Sequence, residues 1–142
     1  MPLDFQVTVD CADPHSLADW WARLLDWEVE PQDEAFIRRM IDEGHASETD
    51  TTTHNGQIVW REGAAIEAEV DGARRRMLFQ LVPESKAVKN RIHLDVRFGE
   101  GDLVSLRTRL EAMGAVFVHQ ASQGPHSWIT MTDPEGNEFC AT

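Results

Sequence analysis

The chain has 142 residues, 42% of them hydrophobic, and its 25 acidic against 13 basic side chains give a formal net charge of −12. That length fits one domain with a sizeable core, and the charge argues against nucleic acid as a partner, because phosphate binding needs clustered cations. No apolar run approaches the roughly 18 residues of a membrane span, and the opening MPLDFQV lacks the basic region and apolar stretch of a secretory signal; a cytoplasmic protein with no membrane partner is expected.

The first strand is expected over Leu3 to Cys11, with Phe5, Val7, Val9 and Cys11 on one face and Gln6, Thr8 and Asp10 on the other. Asp13-Pro14 opens a helix, since Asp caps and Pro is tolerated at the first helical position. Leu17, Trp20, Trp21 and Leu24 form its apolar stripe, read as helix-to-sheet packing. A short strand follows near Trp27 to Glu30. Asp33 to Glu43 reads as a second helix that buries Phe36, Ile37, Met40 and Ile41 and stops at Gly44. The polar stretch HASETDTTTHNGQ reads as turn, and Asn55-Gly56 leads into a strand around Gln57 to Arg61. Further strands are expected at Ala65 to Val70 and Arg75 to Val82. The basic run Arg74 to Arg76 reads as a solvated strand entry or turn.

Pro83 to Asn90 is polar and reads as a linker. After it, Ile92, Leu94, Val96 and Phe98 alternate with His93, Asp95 and Arg97. A helix is expected over Gly101 to Met113, with Leu103, Leu106, Leu110 and Met113 as its stripe. Strands are expected at Ala115 to His119, Ser127 to Thr132 and Asn137 to Ala141. Asp133-Pro134-Glu135-Gly136 suits a type I turn before the last strand. There Phe139 takes the core side, while Glu138, Cys140 and Thr142 face the other way. The two cysteines, Cys11 and Cys140, lie far apart and there is no C-x-x-C pair, so neither a disulfide framework nor a structural zinc site is expected.

The order strand, helix, several strands therefore occurs twice: a first module over about 3–82, a linker over about 83–90 and a second module over about 91–142. Each opening strand has one apolar and one unusually polar face. A half-exposed antiparallel sheet shows the same pattern, but two curled halves would place both polar faces on one cleft.

Three segments carry a family likeness: FQVTVDCADPHSLADWWARLLDWEV, VKNRIHLDVRF and SWITMTDPEGNEFC. With them the chain resembles the glyoxalase/bleomycin-resistance/dioxygenase group, the vicinal oxygen chelate superfamily, and within it a glyoxalase-like bacterial branch. The likeness spans nearly the whole chain except the insertion Asp33 to Asn55. It implies an α+β fold of two paired βαβββ modules in a curved mixed sheet with a ligand funnel, and a homodimer. It also implies four metal-ligand positions in metal-dependent members, matched here by Gln6, Gln80, His93 and Cys140. Those members mostly use His, Glu and sometimes Gln. Two amides, an imidazole and a thiol lack the carboxylate that holds a hard divalent ion. The resemblance therefore implies no iron-dependent dioxygenase, and Glu138 is the carboxylate nearest to the last ligand position.

The leading expectation is a protein that binds a small organic molecule in the funnel without a metal cofactor. Gln6, Gln80 and His93 would orient the ligand, since an amide offers both donor and acceptor, and Cys140 and Trp128 would line the wall. A second reading is a metal-dependent lyase or isomerase with altered ligands, where His93 and Cys140 favour a zinc-like ion. A third is metal-free acid–base catalysis by His93 with Asp95. His93 alternatively only orients the sheet, and Asp95 pairs with Arg97 or another cation. Cys140 is a soft ligand, a nucleophile or an inert buried side chain. Trp60 and Trp128 are cleft walls or core. His126 is a lid residue or simply exposed, and His15, His45, His54 and His119 have no metal spacing.

Overall fold

In the computed structural model, which describes residues 1–142, the first strand β1 forms over Val7–Cys11 rather than from Leu3. Its ladder begins with Val7 opposite Met77, while Leu3 and Phe5 stay exposed and bury nothing. The helix α1 (Pro14–Leu25) starts as its sequence requires: the Asp13 carboxylate accepts the Ser16 backbone N–H at 3.2 Å, ahead of Pro14. It ends at Asp26, a left-handed residue with φ 56° whose N–H bonds the Ala22 carbonyl. Leu17, Trp20, Trp21 and Leu24 are all buried, as their spacing predicts, and α1 packs on β5 (Gly63–Val70) and β6 (Ala73–Leu81). Burial of each such side chain contributes about 1.5–3 kcal/mol.

Between them lie β2 (Glu28–Val29), α2 (Glu34–Asp42) and a hairpin of β3 (Thr51–His54) and β4 (Gln57–Trp60). The segment expected to be turn is thus partly strand: three β-branched threonines pair with β4 across Asn55-Gly56, both at positive φ. On α2 only Ile37 is fully buried, and Phe36 is exposed, because the helix packs chiefly on β4 and one strand covers only a narrow stripe. Side-chain bonds fix the hairpin, among them that of His15 Nε2 with the Trp60 carbonyl at 2.7 Å. His54 Nε2 meets the Asp19 carboxylate on α1 at 2.7 Å. The Gln32 amide accepts the Trp60 N–H at 2.7 Å and donates to the Gly63 carbonyl at 2.9 Å.

The second helix-and-sheet set has β7 (Leu94–Val96), α3 (Leu103–Ala112), β8 (Val116–Gln123), β9 (His126–Thr132) and β10 (Glu138–Ala141). Strand β7 is shorter than the alternation of Ile92 to Phe98 predicts, since its ladder to β10 runs only from Leu94 to Val96 and Ile92 is exposed. Asp102 caps α3; bonds from the Ser105 backbone N–H and hydroxyl hold its carboxyl below the ordinary range. The Asp-Pro-x-Gly turn is anchored by buried Asp133, whose carboxylate accepts the Glu135 and Asn137 N–H groups and the Asn137 amide, each at 2.9 Å.

The chain divides into two compact units, Met1–Ser85 and Lys86–Thr142. Each holds an open four-stranded mixed sheet, with strand orders β1-β6-β5-β2 and β7-β10-β9-β8. In both, the first strand runs parallel to the last, and the remaining pairs are antiparallel. The same βαβββ plan is therefore used twice in an α+β fold. No helix is long and apolar enough to cross a membrane.

Candidate functional site

Alternation on β10 decides the site. Phe139 and Ala141 are fully buried in the core of the second unit. Glu138, Cys140 and Thr142 face the other way and line a cavity of about 600 Å³. Ladder register then builds rows across the sheet. Cys140 stands opposite Asp95 on β7 and opposite Thr130 on β9, and Thr130 stands opposite His119 on β8. Asp95, Cys140, Thr130 and His119 thus form one row on the cavity wall. One step to one side, the register sets His93 beside Glu138; one step to the other, it puts Arg97, Thr142 and Trp128 in one row, with Thr142 in the middle. The Phe98 N–H bonds the Thr142 carbonyl at 2.7 Å and the Thr142 N–H bonds the Val96 carbonyl at 3.0 Å, so Thr142 sits alongside Arg97.

The central row is hydrogen-bonded. The Thr130 hydroxyl lies 3.4 Å from Cys140 Sγ and 3.4 Å from His119 Nε2. His93 Nδ1 is 3.3 Å from an Asp95 oxygen. One ligand atom from each of His93, Asp95 and Cys140 lies within 4.8 Å of the others. The cysteine is nearly buried, at 9% exposure, while His93 and Asp95 are exposed. At the edge of the cavity Lys89 Nζ bonds Glu138 at 2.5 Å, which, with the Asn90 N–H, holds the Glu138 carboxyl below its ordinary range against the opposing pull of burial.

Four expected site residues, His93, Asp95, Trp128 and Cys140, therefore meet on one cavity. The two glutamines belong to the first unit, and there they do not meet. With Val7 opposite Met77, Gln6 falls beside Arg76, four residues from Gln80 along β6, or roughly 13 Å of strand. Gln6 accepts a bond from Arg76 Nη1 at 3.3 Å. Arg76 also forks onto Glu30 at 2.8 and 3.2 Å, and this contact lowers the Glu30 pKa and raises that of Arg76. Gln80 lines a second cavity, of about 850 Å³, in the first unit, with Trp60 and His45 among its neighbours.

Four cavity residues, Lys89, His119, Ser127 and Thr130, escaped sequence reasoning. Thr130 was legible, since it shares the period-two face of Trp128. His119 was not. A bulge at Val118 sets Phe117 opposite Met131 and His119 opposite Thr130, and so turns His119 onto the face opposite Phe117. His126 is exposed and lies on the same cavity.

The donor set of nitrogen, oxygen and sulfur at His93, Asp95 and Cys140 suits a borderline ion such as zinc better than a hard ion. The same groups, with Thr130 and Trp128, equally suit direct hydrogen bonding and packing to an organic ligand.

Residues 6–142 match the glyoxalase-like domain family. Solved structures share the fold at low identity. The fosfomycin resistance protein FosX from Listeria monocytogenes has 9% identity and a TM-score of 0.60, covering 99% of this chain and 92% of that one. FosX from Mesorhizobium loti has 11% identity and a TM-score of 0.59, covering 99% and 90%. A glyoxylase/bleomycin resistance protein/dioxygenase domain from Frankia sp. EAN1pec has 14% identity and a TM-score of 0.57, covering 99% and 96%. A mutant of the Listeria FosX was solved in complex with Mn(II) and 1S,2S-dihydroxypropylphosphonic acid. No curated protein sequence matches the chain significantly.

Proposed function

The chain belongs to the glyoxalase-like domain family, within the vicinal oxygen chelate superfamily, and on that premise we propose that it binds a small organic molecule in the cavity of its second unit. The observation that carries this reading is the meeting of His93, Asp95, Thr130 and Cys140 with Trp128 on one cavity of about 600 Å³. Small-molecule sites have this size, and here polar and charged side chains surround an apolar part made by Trp128 and Cys140. His93 and Thr130 orient the ligand, and Cys140 and Trp128 form its walls. Gln80 offers its amide to the cavity of the first unit, where it serves the same kind of contact, and Gln6 acts through Arg76. The family resemblance supports a homodimer, which light scattering on the purified chain tests, and the opening sequence supports a cytoplasmic location.

Binding without a metal is the reading favoured by the two glutamines and the absence of any carboxylate at the four matched positions. The His93, Asp95 and Cys140 cluster supports a second reading, a metal-dependent lyase or isomerase. Asp95 supplies the carboxylate that the matched positions lack, and the three residues together would hold a zinc-like ion. Such an ion would polarise a ligand oxygen as a Lewis acid. The His93–Asp95 contact at 3.3 Å also supports a metal-free acid–base enzyme.

Elemental analysis of untagged protein, followed by zinc titration of wild type and a His93→Ala, Cys140→Ala variant, separates these readings. No metal bound before or after titration supports the metal-free binding site. About one zinc per chain, lost in the variant, overturns it in favour of the metal-dependent enzyme. Turnover that survives a chelator and disappears in His93→Asn marks the third reading.

A further inference from the structure

Two cations line the cavity of the second unit, Lys89 and Arg97, and they differ in one respect. Lys89 is bonded to Glu138. Arg97 has neither a hydrogen bond nor an ion pair, and it is exposed. The register places it in the row of Thr142 and Trp128, next to the row that holds Asp95 and Cys140. A free guanidinium and an indole thus share one row at one end of the cavity, with Thr142 between them, while Asp95 stands in the next row and Glu138 in the row beyond it.

From this we infer that the ligand is a small aromatic or otherwise planar monoanion of the carboxylate class, bound with its charge on Arg97 and its apolar part on Trp128. The inference rests on the small-molecule reading above and adds the ligand's charge and orientation. The guanidinium is a planar fork that matches two carboxylate oxygens at once. Trp128 supplies a flat apolar surface at the same row. The charge count selects a single negative charge. Lys89 is already neutralised by Glu138, and Asp95 faces the same cavity, so a doubly charged phosphate or phosphonate would meet one free cation and a repelling carboxylate. The chain's net charge of −12 adds a general penalty against multiply charged anions.

The test is protein-observed NMR with three matched probes, benzoate, benzamide and phenylphosphonate, on the full chain at low and moderate salt. The reporters are the Trp128 indole N–H and the backbone amides of Cys140 and Thr142. Benzoate is expected to shift these signals and to bind more tightly than the other two. Arg97→Gln is expected to weaken benzoate by roughly tenfold to a hundredfold and to leave benzamide unchanged. Arg97 is exposed and unbonded, so the variant retains its fold, and its unperturbed spectrum checks this. If benzamide binds the cavity as well as benzoate does, or Arg97→Gln has no effect, the charge assignment is overturned while the small-molecule site stands. Preference for phenylphosphonate overturns the monoanion. If no probe of the series moves the cavity signals, both the inference and the proposed site fall.

Discussion

The two units are built on one strand plan and use it differently. In each, a phenylalanine on the last strand is fully buried between its neighbours: Phe79 opposite Val9 and Ala64 in the first unit, Phe139 opposite Leu94 and Met131 in the second. The helices diverge. Helix α1 buries both of its tryptophans, whereas α3 fully buries only Leu110. The polar faces diverge further. In the first unit Arg76 is clasped by Glu30 and Gln6, and Gln32 is spent on backbone groups. In the second, His93, Asp95, Thr130 and Cys140 converge on a cavity with Arg97 left free. A shared topology fixes where the core lies, because period two on the last strand is the same in both. It does not fix what the opposite face does, which depends on whether its polar groups satisfy one another.

The sharpest way to break that comparison is at the matched aromatics. Phe79→Ala and Phe139→Ala should each cost about 3–5 kcal/mol in urea unfolding; a much smaller loss for either would mean that its unit is not organised around that side chain. Next is the turn that delivers β10. Asp133→Ala strips the acceptor from three bonds and should cost about 1–3 kcal/mol, with cavity signals of Glu138 and Cys140 moving in the NMR spectrum while those of Gln80 stay in place.

The two cysteines offer a subtler contrast. Cys11 bonds the Gln80 carbonyl at 3.6 Å, and Cys140 bonds Thr130 on a cavity wall. Alkylation followed by mass spectrometry should modify Cys140 first, and a cavity ligand should slow that reaction without affecting Cys11. Equal rates would remove the distinction between the two faces.

The smallest effect concerns pH. The Glu138 carboxyl lies below its ordinary value near 4.5 because of Lys89. A depressed carboxylate contributes stability that is present above the ordinary value and is lost as pH falls through the lowered one. Thermal melts of wild type should therefore fall more steeply below about pH 4.5 than those of Lys89→Ala. Identical acid legs would show that the contact carries no stability. Glu30 with Arg76 makes the corresponding contribution in the first unit, with the same sign.

Much of this was legible in the residues. Asp13-Pro14 capped a helix, the α1 stripe was buried, Asn55-Gly56 made its turn, and Phe139 took the core side, because caps, turns and strict alternation are local rules. The meeting of His93 and Cys140 followed from face assignment once their strands were adjacent. Where reading failed, a partner strand was responsible. Thr51–His54 became a strand because β4 pairs with it, and Leu3 to Gln6 did not because the ladder starts at Val7.

The sequence by itself determined the repeated order of strand, helix and several strands, the burial of Trp20, Trp21 and Phe139 and the polar identity of the face opposite Phe139, since these depend on periodicity along one chain. Only the tertiary structure decided which polar groups meet. The parallel register of β1 with β6 separates Gln6 from Gln80, and that of β7 with β10 joins Asp95 to Cys140. The bulge at Val118 brings His119 onto the row. Register and bulges are set by pairing between distant segments, and a shift of one residue reverses a side chain's face. No pattern within a single strand records that.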